Sequence, residues 1–213
     1  MSTLIILLIF QKMQKVSIMI KINFLLTFVF LISFVFLDEL TPEQIKKIEK
    51  ITEDVNKAPD FTLSSIQSFN NEFIDSSYTL SMMEDKVILI NFWATWCGPC
   101  RLEIPDFNEL YSKYHSRGFE ILGVSISDTK DALLNFLNAY KIDYPVLYGR
   151  QNEMQKMLAD YGGIYSIPIS ILLDKNNQIL RVYPGAILKQ YDPNMYADLI
   201  HNIEISIDAI DKK

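Results

Sequence analysis

The sequence holds only two cysteines and two histidines in 213 residues. Two cysteines cannot build a disulfide scaffold and also leave a thiol pair free, so whatever Cys97 and Cys100 do, they do together. A structural zinc centre needs four ligands. Beyond the cysteines the chain offers only His115 and His201, far apart and without a second cysteine knuckle, so zinc is set aside and both histidines are expected at the surface. No long run of Lys or Arg occurs, and the formal net charge is -6. Nucleic acid is therefore not expected as a partner. Internal repeats and low-complexity tracts are absent as well. What remains is a composition of 49% hydrophobic and 22% charged residues, enough for one globular domain with appendages.

The first appendage is N-terminal. Ile22 to Leu37 is an uncharged apolar run, preceded by Lys12, Lys15 and Lys21 and followed by Asp38 and Glu39. This is the layout of a basic n-region and an apolar h-region. As a helix the run reaches roughly 24 Å against a hydrocarbon core of about 30 Å, and beginning at Ser17 lengthens it enough to span if Lys21 snorkels. A small-x-small cleavage site is missing at Val35, Phe36 and Leu37, so residues 1–37 are expected to be a signal peptide or, in preference, an uncleaved membrane anchor. Lysines before the run and acids after it place the N-terminus in the cytoplasm and the remainder outside.

Residues 38–57 read as a helical linker or stalk. "TPEQ" at Thr41 to Gln44 supplies an N-cap, a first-turn proline and a capping-box glutamine, and Ala58-Pro59 ends the helix. From Asp60 onward short strand-like runs, Val87 to Trp93, Phe119 to Ile126 and Ser170 to Asp174, alternate with helix-like segments at Cys97 to Arg117, Asp131 to Tyr140 and Glu153 to Tyr161. Alternation of this kind predicts an α/β fold with a central sheet flanked by helices. The "DKNNQ" turn predicts a closing antiparallel hairpin.

Against this frame "NFWATWCGPCR" (Asn91 to Arg101) puts the dithiol where a strand ends and a helix begins. The helix N-terminus offers unpaired N–H groups and a positive dipole end, which stabilise a thiolate at Cys97. Cys100, one turn inside, can then attack the mixed disulfide and release the product. Trp93 reads as packing and Trp96 as a partly exposed flank.

"NFWATWCGPCRLEIPDF" resembles the active-site segment of the thioredoxin superfamily, and specifically of its TlpA/ResA-like thiol-disulfide oxidoreductases. "APDFTL" (Ala58 to Leu63) is similar to the entry hairpin of that family, and "SIPISILLD" (Ser166 to Asp174) to its cis-proline loop and following strand. The resemblance implies a thioredoxin-like domain over residues 58–192, with a strand-helix insertion at about Asp131 to Arg150 and a C-terminal helix over 193–213. It makes Cys97 the attacking and Cys100 the resolving thiol of a redox-active disulfide. Pro168 becomes the cis-proline facing the dithiol, and Trp96, Gly98, Pro99 and Ile167 become substrate contacts. Pro105 matches a helix-kinking proline.

Two departures stand out. Thioredoxin has a buried aspartate where this chain has Asn91, an amide that takes no proton at neutral pH. Glu103, three residues after Cys100 on the same helical face, matches the glutamate that the family places near its dithiol, and a carboxylate partly buried there would have a raised pKa and accept the Cys100 proton. "SFNNEFIDSS" (Ser68 to Ser77) is longer than the family's usual hairpin turn and reads as a loop. The implied function is reduction of protein disulfides outside the cytoplasmic membrane, with cytochrome c maturation as a candidate process. Disulfide-bearing client proteins and an upstream membrane electron donor are the implied partners, and no cofactor or metal is expected. A peroxiredoxin-like peroxidase needs T-x-x-C, whereas Thr95 lies two residues before Cys97. A redox-inert binding module needs neither cysteine.

Overall fold

The computed structural model describes residues 41–69, 72–83 and 85–211. The run Ile22–Leu37, which carries the anchor expectation, lies outside them. Among the described residues no helix is long and apolar enough to cross a membrane. The chain divides into two compact units with a boundary after Asp54. Of the first the structure describes residues 41–54, which hold most of helix α1 (Pro42–Asn56). Its start follows from the expected capping box. The Thr41 N–H donates to Gln44 Oε1 at 2.8 Å, and the Gln44 N–H donates back to Thr41 Oγ1 at 3.3 Å.

The second unit contains β1 (Thr62–Phe69), β2 (Glu72–Thr79), β3 (Val87–Trp93), α2 (Gly98–Tyr114), β4 (Phe119–Ser125), α3 (Lys130–Ala139), β5 (Val146–Tyr148), α4 (Gln151–Asp160), β6 (Ile169–Leu173), β7 (Ile179–Pro184) and α5 (Pro193–Asp211). The strands form one seven-stranded sheet in the order β2-β1-β5-β4-β3-β6-β7. β3, β4 and β5 run parallel, and the remaining pairs are antiparallel.

Every residue of β3 and β4 is buried, which is why both read as near-continuous apolar runs: helices cover both faces of a parallel centre. The two-residue period of a strand sends Val87, Leu89, Asn91 and Trp93 to one face and Ile88, Ile90 and Phe92 to the other. The first face packs against Phe107, Leu110 and Tyr114 of α2 and Leu199, Ile203 and Ile207 of α5. The second meets Met154 and Met157 of α4. Each fully buried side chain of this size contributes about 1.5–3 kcal/mol. For the site, the consequence is that Asn91 points toward the helix that begins at the dithiol.

The closing hairpin forms as expected. Asp174 Oδ1 accepts the N–H groups of Asn176 and Gln178 at 2.9 and 2.8 Å, and Asn177 takes a positive φ of 61°, so the side chain itself builds the turn. The strand-helix insertion is present as α3 and β5.

One expectation is corrected. Ser68 to Ser77 is not a loop: β1 and β2 pair from Thr62↔Thr79 to Phe69↔Glu72, so the segment is mostly strand. Hydroxyls hold the pair together across the strands, Ser65 Oγ to Ser76 Oγ at 2.7 Å and Thr62 Oγ1 to Thr79 Oγ1 at 2.8 Å. β2 is an edge strand, and its polar side chains do not produce the apolar alternation by which a strand is recognised.

Candidate active site

β3, a central strand, ends at Trp93, and the turn Ala94 to Trp96 passes the chain into α2. Cys97 is the N-cap of α2, with φ -79° and ψ 108°, and its Sγ accepts the Cys100 N–H at 3.2 Å. A sulfur thus occupies the place where an N-cap oxygen usually sits, facing the helix N–H groups that favour negative charge. Pro99 fits the first turn because it lacks an N–H that the helix would leave unpaired. The helix runs on through Pro105. Cys97 and Cys100 are joined as a disulfide, both largely buried, with Cys97 the more exposed.

The loop before β6 closes over this pair. Ile167–Pro168 is a cis peptide, and the Ile167 carbonyl oxygen lies 3.9 Å from Cys97 Sγ. Around it Trp96 is 66% exposed and Tyr165 96% exposed, while Pro99 is exposed and Gly98 half-buried. Trp96 is steadied by its Nε1–H, which donates to Ser127 Oγ at 3.1 Å. Trp93 is buried in the core, as expected, and His115 and His201 are exposed.

The turn before Cys97 hangs on Asp128. Its Oδ2 accepts the Thr95 N–H at 2.8 Å and the Ser125 hydroxyl at 2.7 Å, and Oδ1 accepts the Thr95 hydroxyl at 2.6 Å. Three donors on one carboxylate fix the approach of β3 to the helix.

Three residues after Cys100 on α2 lies Glu103, more deeply enclosed than the sequence reading expected: it is 1% exposed. Oε1 accepts Asn91 Nδ2–H at 2.9 Å, and Oε2 accepts the Ile187 backbone N–H at 3.0 Å. Asn91 donates its second N–H to Ser170 Oγ at 3.0 Å. Burial raises the Glu103 pKa to about 8, against the opposing pull of the Ile187 and Asn91 hydrogen bonds, and the nearby charge of Asp106 pushes the same way as burial. Burial, followed by the Glu103 charge, also lifts Tyr144 well above its ordinary value.

The structure therefore brings Ile167 and the cis Pro168 to Cys97, at the helix start that carries Trp96, Gly98, Pro99 and Cys100, and buries Glu103 one turn further along α2. Sequence reasoning treated Asn91 as a lost acid and did not single out Ser170 or Ile187. Ser170 carries a signal, a lone polar residue in an apolar strand. Ile187 contributes only its backbone, for which no side-chain signal exists.

A dithiol capping a helix at the end of a central parallel strand, with a cis X-Pro carbonyl against its outer sulfur, defines an enzyme of thiol-disulfide exchange on a thioredoxin fold. Comparison with known proteins agrees. The model of the AhpC/TSA family matches residues 55–182. The thiol-disulfide oxidoreductase ResA of Oceanobacillus iheyensis is 33% identical over 143 residues, covering 67% of this chain and 71% of that protein. ResA of Geobacillus thermodenitrificans is 32% identical over 133 residues, covering 62% and 70%. Among solved structures, a thiol:disulfide interchange protein of the thioredoxin family from Chlorobium tepidum superposes with a TM-score of 0.54 at 25% identity, covering 71% of this chain and 96% of that one. This chain belongs to the AhpC/TSA family and, within it, to the ResA-like thiol-disulfide oxidoreductases.

Proposed function

We propose that this enzyme reduces protein disulfides on the outer side of the cytoplasmic membrane, held there by its N-terminal segment. The observation that carries the reading is the buried carboxyl of Glu103, one helical turn after Cys100, whose raised pKa suits it to exchange a proton near neutrality. In the reduced enzyme the Cys97 thiolate attacks one sulfur of the client disulfide. The Cys97–client bond forms, the client S–S bond breaks, and the leaving client thiolate takes a proton. Cys100 then gives its proton to the Glu103 carboxylate, and its thiolate attacks Cys97 Sγ. The Cys97–Cys100 bond forms as the second client thiolate departs, so two electrons have passed to the client. Resetting the enzyme requires a dithiol donor, and a membrane-borne one fits the expected location. Pro168, Ile167, Trp96, Gly98 and Pro99 frame the client segment, with the Ile167 carbonyl available to its backbone.

Topology is supported by Lys12, Lys15 and Lys21 preceding the apolar run. The Gly-Pro dipeptide is that of thioredoxin, whose potential lies near -270 mV against about -120 mV for DsbA, and so favours the reducing direction. A peroxidase reading draws no support from Thr95, whose hydroxyl is committed to Asp128.

Cys100→Ser should arrest the cycle at the mixed disulfide, so that clients remain attached through Cys97 and are identified after non-reducing separation. Absence of adducts, or a potential near that of DsbA, would overturn the reductase reading. A C-terminal reporter active in the cytoplasm would overturn the topology.

A further inference from the structure

We propose that Asn91 is a positioning residue whose amide turns over when Glu103 changes charge, and that the proton of neutral Glu103 sits on Oε1 rather than Oε2. The inference deepens the reading in which Glu103 takes the Cys100 proton, and its test does not depend on turnover.

The argument comes from donor and acceptor capacities. Oε2 faces the Ile187 N–H at 3.0 Å, a group that can only donate, so a proton placed there finds no acceptor in it. Oε1 faces Asn91, and an amide carries a donor on one side and an acceptor on the other. In the structure Nδ2 serves both Oε1 and Ser170 Oγ, the arrangement that suits an ionised Glu103. When Glu103 is neutral, a half-turn of the amide presents Oδ1 to the Glu103 O–H. Ser170 adapts by rotating its hydroxyl from acceptor to donor. The Asn91–Glu103 and Asn91–Ser170 contacts are kept in both states, which matters because an unpaired polar group at this depth costs about 1–3 kcal/mol. The placement is set by the sheet: Asn91 and Ser170 are direct partners in the β3–β6 ladder, on the face that meets α2.

The other ionisable groups around the carboxyl are few. Asp106 lies one turn on along α2, and Tyr144 approaches from the segment before β5. From the β7–α5 connection Lys189 donates its N–H to Asp106 and its ammonium to Glu109. Cys100 is tied in the disulfide. Of these groups and Asn91, it is Asn91 that is hydrogen-bonded to Oε1.

The test is an NMR titration of the full chain in the disulfide form, following the Glu103 side-chain carboxyl carbon, the Asn91 side-chain NH2 and the Ile187 amide, with Glu103→Gln to assign the carboxyl. The Asn91 NH2 signals should change with the same midpoint as the carboxyl, while the Ile187 amide moves less. Asn91→Leu should raise the midpoint by about one unit, because the hydrogen bond to the charged form is the stronger one lost. Ser170→Ala, which removes a partner of both orientations, should shift it less. Should Asn91→Leu fail to fold, the Asn91 and Ile187 signals of the unaltered protein decide. A titration that moves Ile187 and leaves Asn91 still puts the proton on Oε2 and overturns the proposal, as does an unshifted midpoint in Asn91→Leu.

Discussion

Asn91 and Glu103, twelve residues apart in sequence, are joined by one hydrogen bond of 2.9 Å from Nδ2 to Oε1. The residue that stands where thioredoxin has its acid is thus hydrogen-bonded to a buried carboxyl carried by the neighbouring helix.

A first expectation concerns stability. Glu103 titrates near 4.5 when unfolded and about 8 in the folded oxidised chain. Its neutral form therefore favours the fold. That contribution is fully present below about 4.5, shrinks as pH rises through the window, and is gone above about 8. Relative to Glu103→Gln, whose side chain stays neutral, the parent should lose stability on the order of a few kcal/mol between these limits. Denaturant midpoints of both chains across pH measure it, and parallel curves would remove Glu103 as the cause.

A second concerns rate. Glu103→Gln should slow release of the reduced client by about 10²–10⁴-fold, the contribution of proton transfer by a positioned group, while leaving formation of the mixed disulfide largely intact. Asn91→Asp combined with Glu103→Gln reverses donor and acceptor within the same pair and should recover part of that loss. Asn91→Asp alone sets two carboxyls in contact, so they share a proton and titrate as a coupled pair. Stopped-flow reduction of a model disulfide protein against pH separates the steps. Equal rates for parent and Glu103→Gln would assign the proton to solvent.

Much of this was legible in the sequence. The dithiol at a strand-to-helix junction and the alternation of strands and helices follow from long apolar runs broken by strong turn residues, whereas the cis-proline was implied by the resemblance to the TlpA/ResA-like proteins. The hairpin was expected from the resemblance, but the reach of its strands was not legible, because Ser64, Ser65, Ser76 and Ser77 pair as strand residues without alternating apolar burial. The setting of Glu103 was only half visible. Its helical face could be counted from Cys100, but its second donor is the backbone of Ile187, 84 residues away and chosen by chain path, not side chain.

A third expectation tests the turn before Cys97. Asp128→Asn gives an NH2 group to a place where three donors converge, leaving at least one unpaired at a cost of about 1–3 kcal/mol. The melting temperature should fall, and the exposed Trp96, tied to Ser127 next door, should report greater freedom by fluorescence anisotropy. An unchanged melt would mean the turn is held by its backbone alone.

A fourth tests whether α5 is integral to the domain. Ile203, fully buried against the sheet face shared with α2, should cost about 2–5 kcal/mol on replacement by Ala. Chemical denaturation reads this directly, and a loss under about 1 kcal/mol would mark α5 as peripheral.

The pairing of Asn91 with Ser170 has one more effect, on which alignment of strands the chain can adopt. β6 is otherwise isoleucine and leucine, and apolar residues on both of its faces would tolerate a slip against β3. Sliding β6 by one residue turns every side chain to the opposite face. Ile169 or Ile171 would then stand beside Asn91, whose second N–H would have no acceptor, and Ser170 would face the methionines of α4. A single serine therefore keys an otherwise interchangeable strand into one position, and the cis peptide two residues before it is carried to Cys97 by that same lock.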